Sequence, residues 1–225
     1  MNDPPQPKNS ARARADRVKD FRCKNLIAVL ENPEDIRNIG TVIRNVNALG
    51  VEKAYVIDRN GALPDDWQDM REHQRLSKVS ASAIKWSYVK TFNDTESCLQ
   101  HLAKNGFVSV VTSPRTKGRK NVVLHEGDYT RFKKLAVWFG NEATGIRELG
   151  VQESALCVNI PMFGIVESLN LGTSTGIVLY EVTKQRRAFQ ERHKAKRQAN
   201  ARARKRPNPS LKPTRTGRGA GHAGR

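Results

Sequence analysis

Short apolar runs alternate with segments of helical periodicity between residues 25 and 189. Five runs of five or six residues have the length and composition of buried strands, at 25–30, 53–57, 107–112, 135–139 and 155–160. Helices are predicted between Ile39 and Leu49, where apolar positions recur every three or four residues, over 94–104, and from Leu169 to about Phe189. Residues 58–80 are polar and weakly patterned. Strands alternating with helices predict an α/β fold with a mainly parallel sheet flanked by helices on both faces.

The two ends of the chain lack this pattern. Residues 1–20 are polar and contain Pro4, Pro5 and Pro7, which predicts a mobile arm that can end in a short helix. Beyond about Gln190 no apolar period continues, and such a composition is typical of disorder. We therefore predict a basic arm over 1–24, one domain over 25–189 and a basic disordered tail over 190–225.

The charge of the chain is concentrated at these ends. The net charge is +18; residues 184–225 hold 15 Lys/Arg against one acidic residue, and residues 1–24 hold 7 against 3. Residues 25–183 are therefore neutral overall. A polycation attached to a neutral domain favours a polyanionic partner, and RNA, DNA and an anionic membrane all fit, as does a tail that only aids solubility.

Several classes of protein are disfavoured. Cys23, Cys98 and Cys157 lie far apart, so neither a zinc site nor a disulfide framework is predicted. The first residues lack a signal-peptide pattern, and no apolar run approaches the roughly 18 residues that span a bilayer. We expect a cytoplasmic protein with no membrane partner.

Polar residues also mark the first predicted helix. Asn38, Thr41 and Arg44 are spaced three apart, so they share a face beside the apolar stripe. Gly40 costs about 1 kcal/mol relative to alanine in a helix, which is useful if another backbone or a ligand passes close. On spacing alone, a functional face and a solvated amphipathic helix both remain open.

Two later segments follow predicted strands. Gly140, Glu142 and Gly145 come directly after the run at 135–139, and ligands of open α/β sheets bind beyond the carboxyl ends of strands. Ser168 is a candidate N-cap of the last helix, whose free N–H groups can bind an anion. An ordinary glycine-bounded loop and a purely structural cap are the alternatives.

Together the three segments closely resemble the SpoU/TrmH family of the SPOUT superfamily of RNA ribose methyltransferases. The matching motifs, in family order and at family-like spacing, are Asn38-x5-Arg44-x5-Gly50, Gly140-Asn-Glu-x-x-Gly145, and Ile160-Pro-Met-x-Gly164 followed by Glu167-Ser-Leu-Asn170. They cover most of residues 25–185. The family often continues with Val-Ser and alanines where this chain has Leu171-Gly172-Thr173, which puts the packing of that helix in doubt.

The resemblance implies a fold, a cofactor and a dimer. The expected fold has a deep trefoil knot in its C-terminal part, and the expected cofactor is S-adenosylmethionine, with no metal. Family members are homodimers in which the partner subunit completes the active site. The implied cofactor contacts are Thr112, Gly140, Ile160, Met162 and Leu169.

The resemblance also implies catalytic roles. Arg44 matches the catalytic arginine, either as the base or as a group that stabilises the developing alkoxide. Asn38 and Glu142 match residues that support it, and Ser168 and Asn170 match the active-site serine and asparagine. The reaction implied is transfer of a methyl group to a ribose 2′-hydroxyl.

The RNA substrate is less strongly indicated. The short segment before the first predicted strand and the basic ends resemble the tRNA branch of the family, and a guanosine is favoured. An rRNA substrate remains an alternative. Two further alternatives are a non-catalytic RNA-binding or ribosome-assembly factor on the same scaffold and a DNA-binding regulator, for which no reading helix is recognisable.

Overall fold

The protein is described by a computed structural model that covers residues 11–64, 66–115, 118 and 120–205. The chain divides into two units, Met1–Arg187 and Ala188–Arg225. In the second unit the described residues belong to one helix, in which the rings of Phe189 and His193 lie 4.3 Å apart.

The first unit contains one seven-stranded sheet. Its strands are β1 (Cys23–Glu31), β2 (Val51–Ile57), β3 (Tyr88–Phe92), β4 (Val108–Thr112), β5 (Asn121–Val123), β6 (Leu135–Phe139) and β7 (Leu156–Asn159). Their order is β3-β2-β1-β6-β4-β7-β5, and the pairs are parallel. The predicted α/β class with a parallel sheet is confirmed.

Seven helices accompany the sheet among the described residues. They are α1 (Ala11–Val18), α2 (Ile36–Ala48), α3 (Trp67–Glu72), α4 (Gln74–Val79), α5 (Thr95–Lys104), α6 (Glu148–Gln152) and α7 (Leu171–Lys205). Side chains alternate along β1, so Leu26 and Leu30 face a core shared with α2 and α7, whereas Ile27 and Val29 face one shared with α5 and α6. Both faces of the sheet are therefore covered, as the sequence predicts.

The start and the packing of α2 follow from its sequence. Asp35 caps the helix by accepting a 2.8 Å hydrogen bond from the backbone N–H of Arg37. A Cβ atom on Gly40 would lie 2.9 Å from the side chain of Val79, because α4 packs closely there. The glycine thus serves contact between helices and not approach of a ligand.

The sequence pattern did not predict the two edge strands of the sheet or the helices within residues 58–80. The weakly patterned segment contains both α3 and α4, while β3 and β5 are edge strands. Only Val89 and Phe92 of the five β3 residues are buried, and β5 has only three residues, so neither has an apolar run.

The last helix is longer than predicted. It begins at Leu171 and continues to Lys205, past the predicted end near Phe189 and through the first part of the predicted tail. The Ala, Arg, Lys and Gln residues of this stretch favour helix without an apolar face. The rest of the predicted tail, 206–225, and residues 1–10 of the predicted arm lie outside the described residues. None of the described helices is long and apolar enough to cross a membrane.

Candidate active site

A cleft of about 640 Å³ lies at the carboxyl ends of three adjacent strands, β6, β4 and β7. Its walls come from the segments that follow these strands, at 112–115, 139–146 and 160–171. This is where ligands bind in open α/β sheets. All five predicted cofactor residues line the cleft, as do three of the five predicted catalytic residues: Thr112, Gly140, Ile160, Met162 and Leu169, and Glu142, Ser168 and Asn170.

The loop after β6 folds tightly back on itself. The backbone N–H of Asn141 donates to the carbonyl oxygen of Gly145 at 3.1 Å, and the reverse bond measures 2.9 Å. Gly145 has a φ of +70°, and a Cβ atom on Gly140 would lie 2.4 Å from the carbonyl carbon of Gly145. Both glycines are therefore required by the loop itself, whether or not a ligand approaches it.

Three side chains from distant parts of the chain form a hydrogen-bonded series at the rim of the cleft. The Nδ2 atom of Asn170 donates to Oδ1 of Asn38 at 3.1 Å. The Nδ2 atom of Asn38 in turn donates to Oε1 of Glu142 at 2.5 Å. The amide of Asn38 is thereby fixed between the loop after β6 and the start of α7, although Asn38 itself is carried by α2.

The start of α7 is capped by a different residue from the one predicted. Oδ1 of Asn170 accepts a 2.8 Å hydrogen bond from the backbone N–H of Gly172, two residues further on. Ser168 is not the cap because the helix begins at Leu171. Its side chain is instead exposed on the wall of the cleft.

The polar face predicted on α2 divides into three parts. Asn38 faces Glu142, whereas Asn45 donates a 2.7 Å hydrogen bond to the carbonyl oxygen of Gly172 in α7. A Cβ atom on Gly172 would lie 2.5 Å from Cγ2 of Thr41, so the two helices touch closely there. The small residues at the start of α7 thus allow close packing, and the spacing of polar residues on α2 did not predict the contact of Asn45 with α7.

Arg44 is the one predicted catalytic residue that is joined neither to the cleft nor to the hydrogen-bonded series. Its side chain is exposed on α2, and within the described ranges it has no hydrogen bond or ion pair. An exposed guanidinium without a partner is free to bind a phosphate or another anion.

An ion pair spans two walls of the cleft. Arg115, which follows β4, contacts Glu167, which precedes α7, at 2.7 Å. The hydrogen bond to Glu167 raises the pKa of Arg115 above its ordinary value. Both side chains are largely exposed to solvent, which screens their attraction, so the pair contributes little to stability. The separation of these residues in sequence gave no signal for the contact.

Among the residues that the structure describes, no group of three or more His, Cys, Asp or Glu side chains could hold a metal ion. Cys23, Cys98 and Cys157 are buried and form no disulfide. Burial raises the pKa of the Cys98 thiol to about 12, which keeps it protonated at neutral pH and makes it a poor nucleophile.

Comparison with known proteins agrees with this geometry. The chain is 29% identical to a protein of Thermus thermophilus named tRNA (guanosine(18)-2′-O)-methyltransferase. The alignment of 175 residues covers 78% of this chain and 82% of the relative. The crystal structure of the A. aeolicus TrmH/SpoU tRNA modifying enzyme is similar, with a TM-score of 0.65, 25% identity and coverage of 80% of this chain and 85% of that one. The AdoMet-bound rRNA methyltransferase from Sinorhizobium meliloti shares the fold, with a TM-score of 0.61, 22% identity and coverage of 74% and 59%. The family model of the SpoU rRNA Methylase family matches residues 25–180, which is most of the chain, and the protein belongs to that family.

Proposed function

We propose that the protein is an S-adenosylmethionine-dependent RNA 2′-O-ribose methyltransferase that acts on tRNA, with guanosine favoured. The observation that carries the proposal is the series Asn170–Asn38–Glu142 at the rim of the cleft beyond β6, β4 and β7. Family membership and the tRNA methyltransferase relative from Thermus thermophilus support it.

The cleft fits the cofactor in size and chemistry. Its volume of about 640 Å³ is typical of small-molecule sites. Ile160, Met162 and Leu169 offer apolar surface for an adenine ring, and the carboxylates of Glu142 and Glu167 suit a cationic sulfonium. When bound, S-adenosylmethionine supplies an electrophilic methyl group on a leaving group that is already positively charged, so no metal is needed.

The polar residues at the rim would orient the ribose. Both ends of the Asn38 amide are occupied by Glu142 and Asn170, so Asn38 keeps these two side chains at a fixed separation. The exposed hydroxyl of Ser168 on the wall of the cleft would hydrogen-bond the ribose. Such fixed orientation is a major source of rate enhancement when two reactants must be aligned.

Arg44 would act on the 2′-hydroxyl proton. A guanidinium holds its proton too tightly to be a good base, so stabilisation of the developing alkoxide explains its role as well as deprotonation does. Either role requires the guanidinium beside the reacting oxygen, and its position outside the cleft of its own chain favours action in a second subunit.

The active form would be a homodimer in which Arg44 completes the cleft of the partner subunit. Exposed apolar side chains support this arrangement: Phe163 is 96% exposed, and Ile165, Val166 and Tyr180 are exposed as well. The first three lie between Met162 and Glu167, which both line the cleft, and Tyr180 lies on α7. Monomeric proteins rarely expose large apolar patches, so such side chains indicate a surface that another protein subunit covers.

The deep trefoil knot and the RNA-binding ends belong to the same proposal. The likeness to the A. aeolicus enzyme and membership of the family support the knot. The cationic termini would bind RNA phosphates, and so would exposed cations of the helices: Arg14, Arg17, Arg192, Lys194, Lys196 and Arg197. Contacts with phosphates increase the affinity for RNA but do not distinguish one RNA sequence from another, so recognition of the substrate nucleotide would come from residues around the cleft.

The test is transfer of a labelled methyl group to purified RNA pools. The protein is incubated with S-adenosylmethionine carrying a labelled methyl group and either the tRNA or the rRNA fraction of a strain that lacks the protein. Label in tRNA supports the proposal, and label in rRNA alone supports the rRNA alternative. No label in either pool, with RNA still bound, would favour a non-catalytic RNA-binding factor.

A further inference from the structure

Asn141 uses every hydrogen-bonding position of its side chain, and its role is not explained by the cleft alone. The residue is 6% exposed. Its Oδ1 accepts from the backbone N–H groups of Ala143 at 2.8 Å and Thr144 at 3.0 Å. Its Nδ2 donates to the carbonyl oxygen of Asn32 at 2.7 Å and to Oε1 of Glu34 at 3.2 Å. An asparagine amide offers two donors and one double acceptor, and all are satisfied here.

These four bonds join the two segments that carry Asn38 and Glu142. Oδ1 holds the turn that contains Glu142, whereas Nδ2 binds the connection between β1 and α2, the helix that carries Asn38. Asn32 has a φ of 48°, the left-handed conformation that asparagine tolerates, and this turn directs its carbonyl oxygen to Asn141. The bond from Asn38 to Glu142 links the same two segments a short distance away.

Other side chains cannot replace this pattern. Aspartate keeps the acceptor for the turn but loses both donors and places a negative charge beside Glu34 and Glu142. Glutamine has the same amide on a side chain that is longer by one methylene group, which would displace it from at least one segment. The backbone bonds between Asn141 and Gly145 remain in all variants, so the loop keeps its closure.

We propose that Asn141 is a positioning residue that fixes the carboxylate of Glu142 against Asn38 and thereby sets the geometry of the rim. Although Asn141 also lines the cleft, all its side-chain bonds are to the protein, so it acts through Glu142. The inference rests on the proposed function for its catalytic readout, and its structural part concerns residues of this chain alone. It adds a role to a residue that the glycine-bounded motif contains but to which sequence reasoning assigned none.

Two variants separate the functions of the amide. Asn141→Ala removes all four side-chain bonds. Asn141→Asp keeps the acceptor for the turn and loses the bond to Asn32, so this variant can be used even if Asn141→Ala does not fold. Asn60→Asp is the matched control because Asn60 is an exposed residue outside the cleft. We expect Asn141→Asp to lower the single-turnover rate of methyl transfer at saturating cofactor about 10- to 100-fold, with a much smaller change in cofactor affinity by isothermal titration.

A double-mutant cycle distinguishes positioning from general destabilisation. If Asn141 acts through Glu142, Asn141→Asp in a Glu142→Gln background should lower the rate less than about threefold, because the carboxylate it positions is gone. Hydrogen exchange of the segment 141–146 should be faster in Asn141→Ala than in the wild type, with no change in α5.

The outcomes separate this inference from the proposed function. If the wild type is active and Asn141→Asp is equally active, the positioning role alone is wrong. The same holds if the effects of Asn141→Asp and Glu142→Gln on the rate simply multiply. A wild type that transfers no methyl group to any RNA would overturn the proposed function, and unchanged exchange of 141–146 in Asn141→Ala would still contradict the structural part of the inference.

Discussion

The side-chain amide of Asn38 donates a 2.5 Å hydrogen bond to the carboxylate of Glu142, a residue that follows it by 104 positions in the chain. Asn38 belongs to the helix after β1, and Glu142 belongs to the loop after β6, the neighbouring strand in the sheet. Because both strands end at the same edge, these two residues meet where the cleft opens. The account of the site depends on this pair.

Replacing Asn38 by aspartate should disrupt that pair. Two carboxylates would then face each other, so one must bind a proton or the loop must move away. We expect Asn38→Asp to lower the rate of methyl transfer at neutral pH about 10- to 100-fold, while cofactor affinity changes little. Asn47→Asp is a suitable control, since Asn47 lies on the same helix and its partner, the Ser87 hydroxyl, can donate to a carboxylate. Equal activity of Asn38→Asp and Asn47→Asp would contradict the role of the pair.

Whether a strand of the sheet could be predicted from the sequence depends on how deeply its side chains are buried. The central strand β1 could be predicted because its residues from Leu26 to Leu30 are buried on both faces and read as one apolar run. The edge strand β3 could not, since only Val89 and Phe92 of its five residues are buried. The motifs predicted which residues gather around the cleft, but the bond between Asn38 and Glu142 and the cap at Asn170 depend on tertiary contacts that no spacing reveals.

Arg44 is expected to matter for catalysis and not for stability. Its side chain makes no hydrogen bond or ion pair within the described part of the chain, so Arg44→Ala should change the free energy of unfolding by less than about 0.5 kcal/mol. Methyl transfer should be abolished, with cofactor affinity by isothermal titration unchanged. A loss of cofactor affinity in this variant would contradict the assignment.

Mixing inactive variants tests whether Arg44 acts in the partner subunit. In a mixture of Arg44→Ala and Glu142→Ala, half of the dimers after subunit exchange combine the two chains, and each has one site with both residues intact. Activity should recover to roughly a quarter of the wild-type value. No recovery after verified exchange would place Arg44 in the cleft of its own chain.

Removal of the basic C-terminal segment should weaken RNA binding without affecting the cofactor site. Deletion of residues 190–225 removes most of the cations concentrated at that end. Because release of counterions makes such binding depend on salt, the RNA dissociation constant should rise, and its logarithmic dependence on salt concentration should become less steep. The same affinity and slope in both proteins would rule out a role for this segment in binding.

Glu31 should make the stability of the protein depend on pH. The residue is 1% exposed at the end of β1; its burial raises the pKa of the carboxyl group, although the Thr95 hydroxyl that donates to it acts in the opposite direction. The folded state therefore favours the neutral carboxyl group. The stability that this group contributes is fully present below its pKa in the unfolded chain, and it is lost as the pH rises through its higher pKa in the folded protein. Each unit of elevation corresponds to about 1.4 kcal/mol.

Glu31→Gln removes this ionisation. In urea denaturation, the free energy of unfolding of the variant relative to the wild type should increase as the pH rises above the ordinary glutamate pKa, whereas the exposed substitution Glu153→Gln should show no such trend. A difference between Glu31→Gln and the wild type that is constant with pH would show that this carboxyl is not shifted.

The position of the transferred methyl group tests the central claim most directly. RNA labelled by the protein from S-adenosylmethionine is hydrolysed with alkali, which requires a free 2′-hydroxyl at each cleaved linkage. The account predicts that the label is recovered in alkali-resistant dinucleotides whose digestion yields a 2′-O-methylated nucleoside by mass spectrometry. Label in ordinary mononucleotides, with the methyl group on a base, would contradict it.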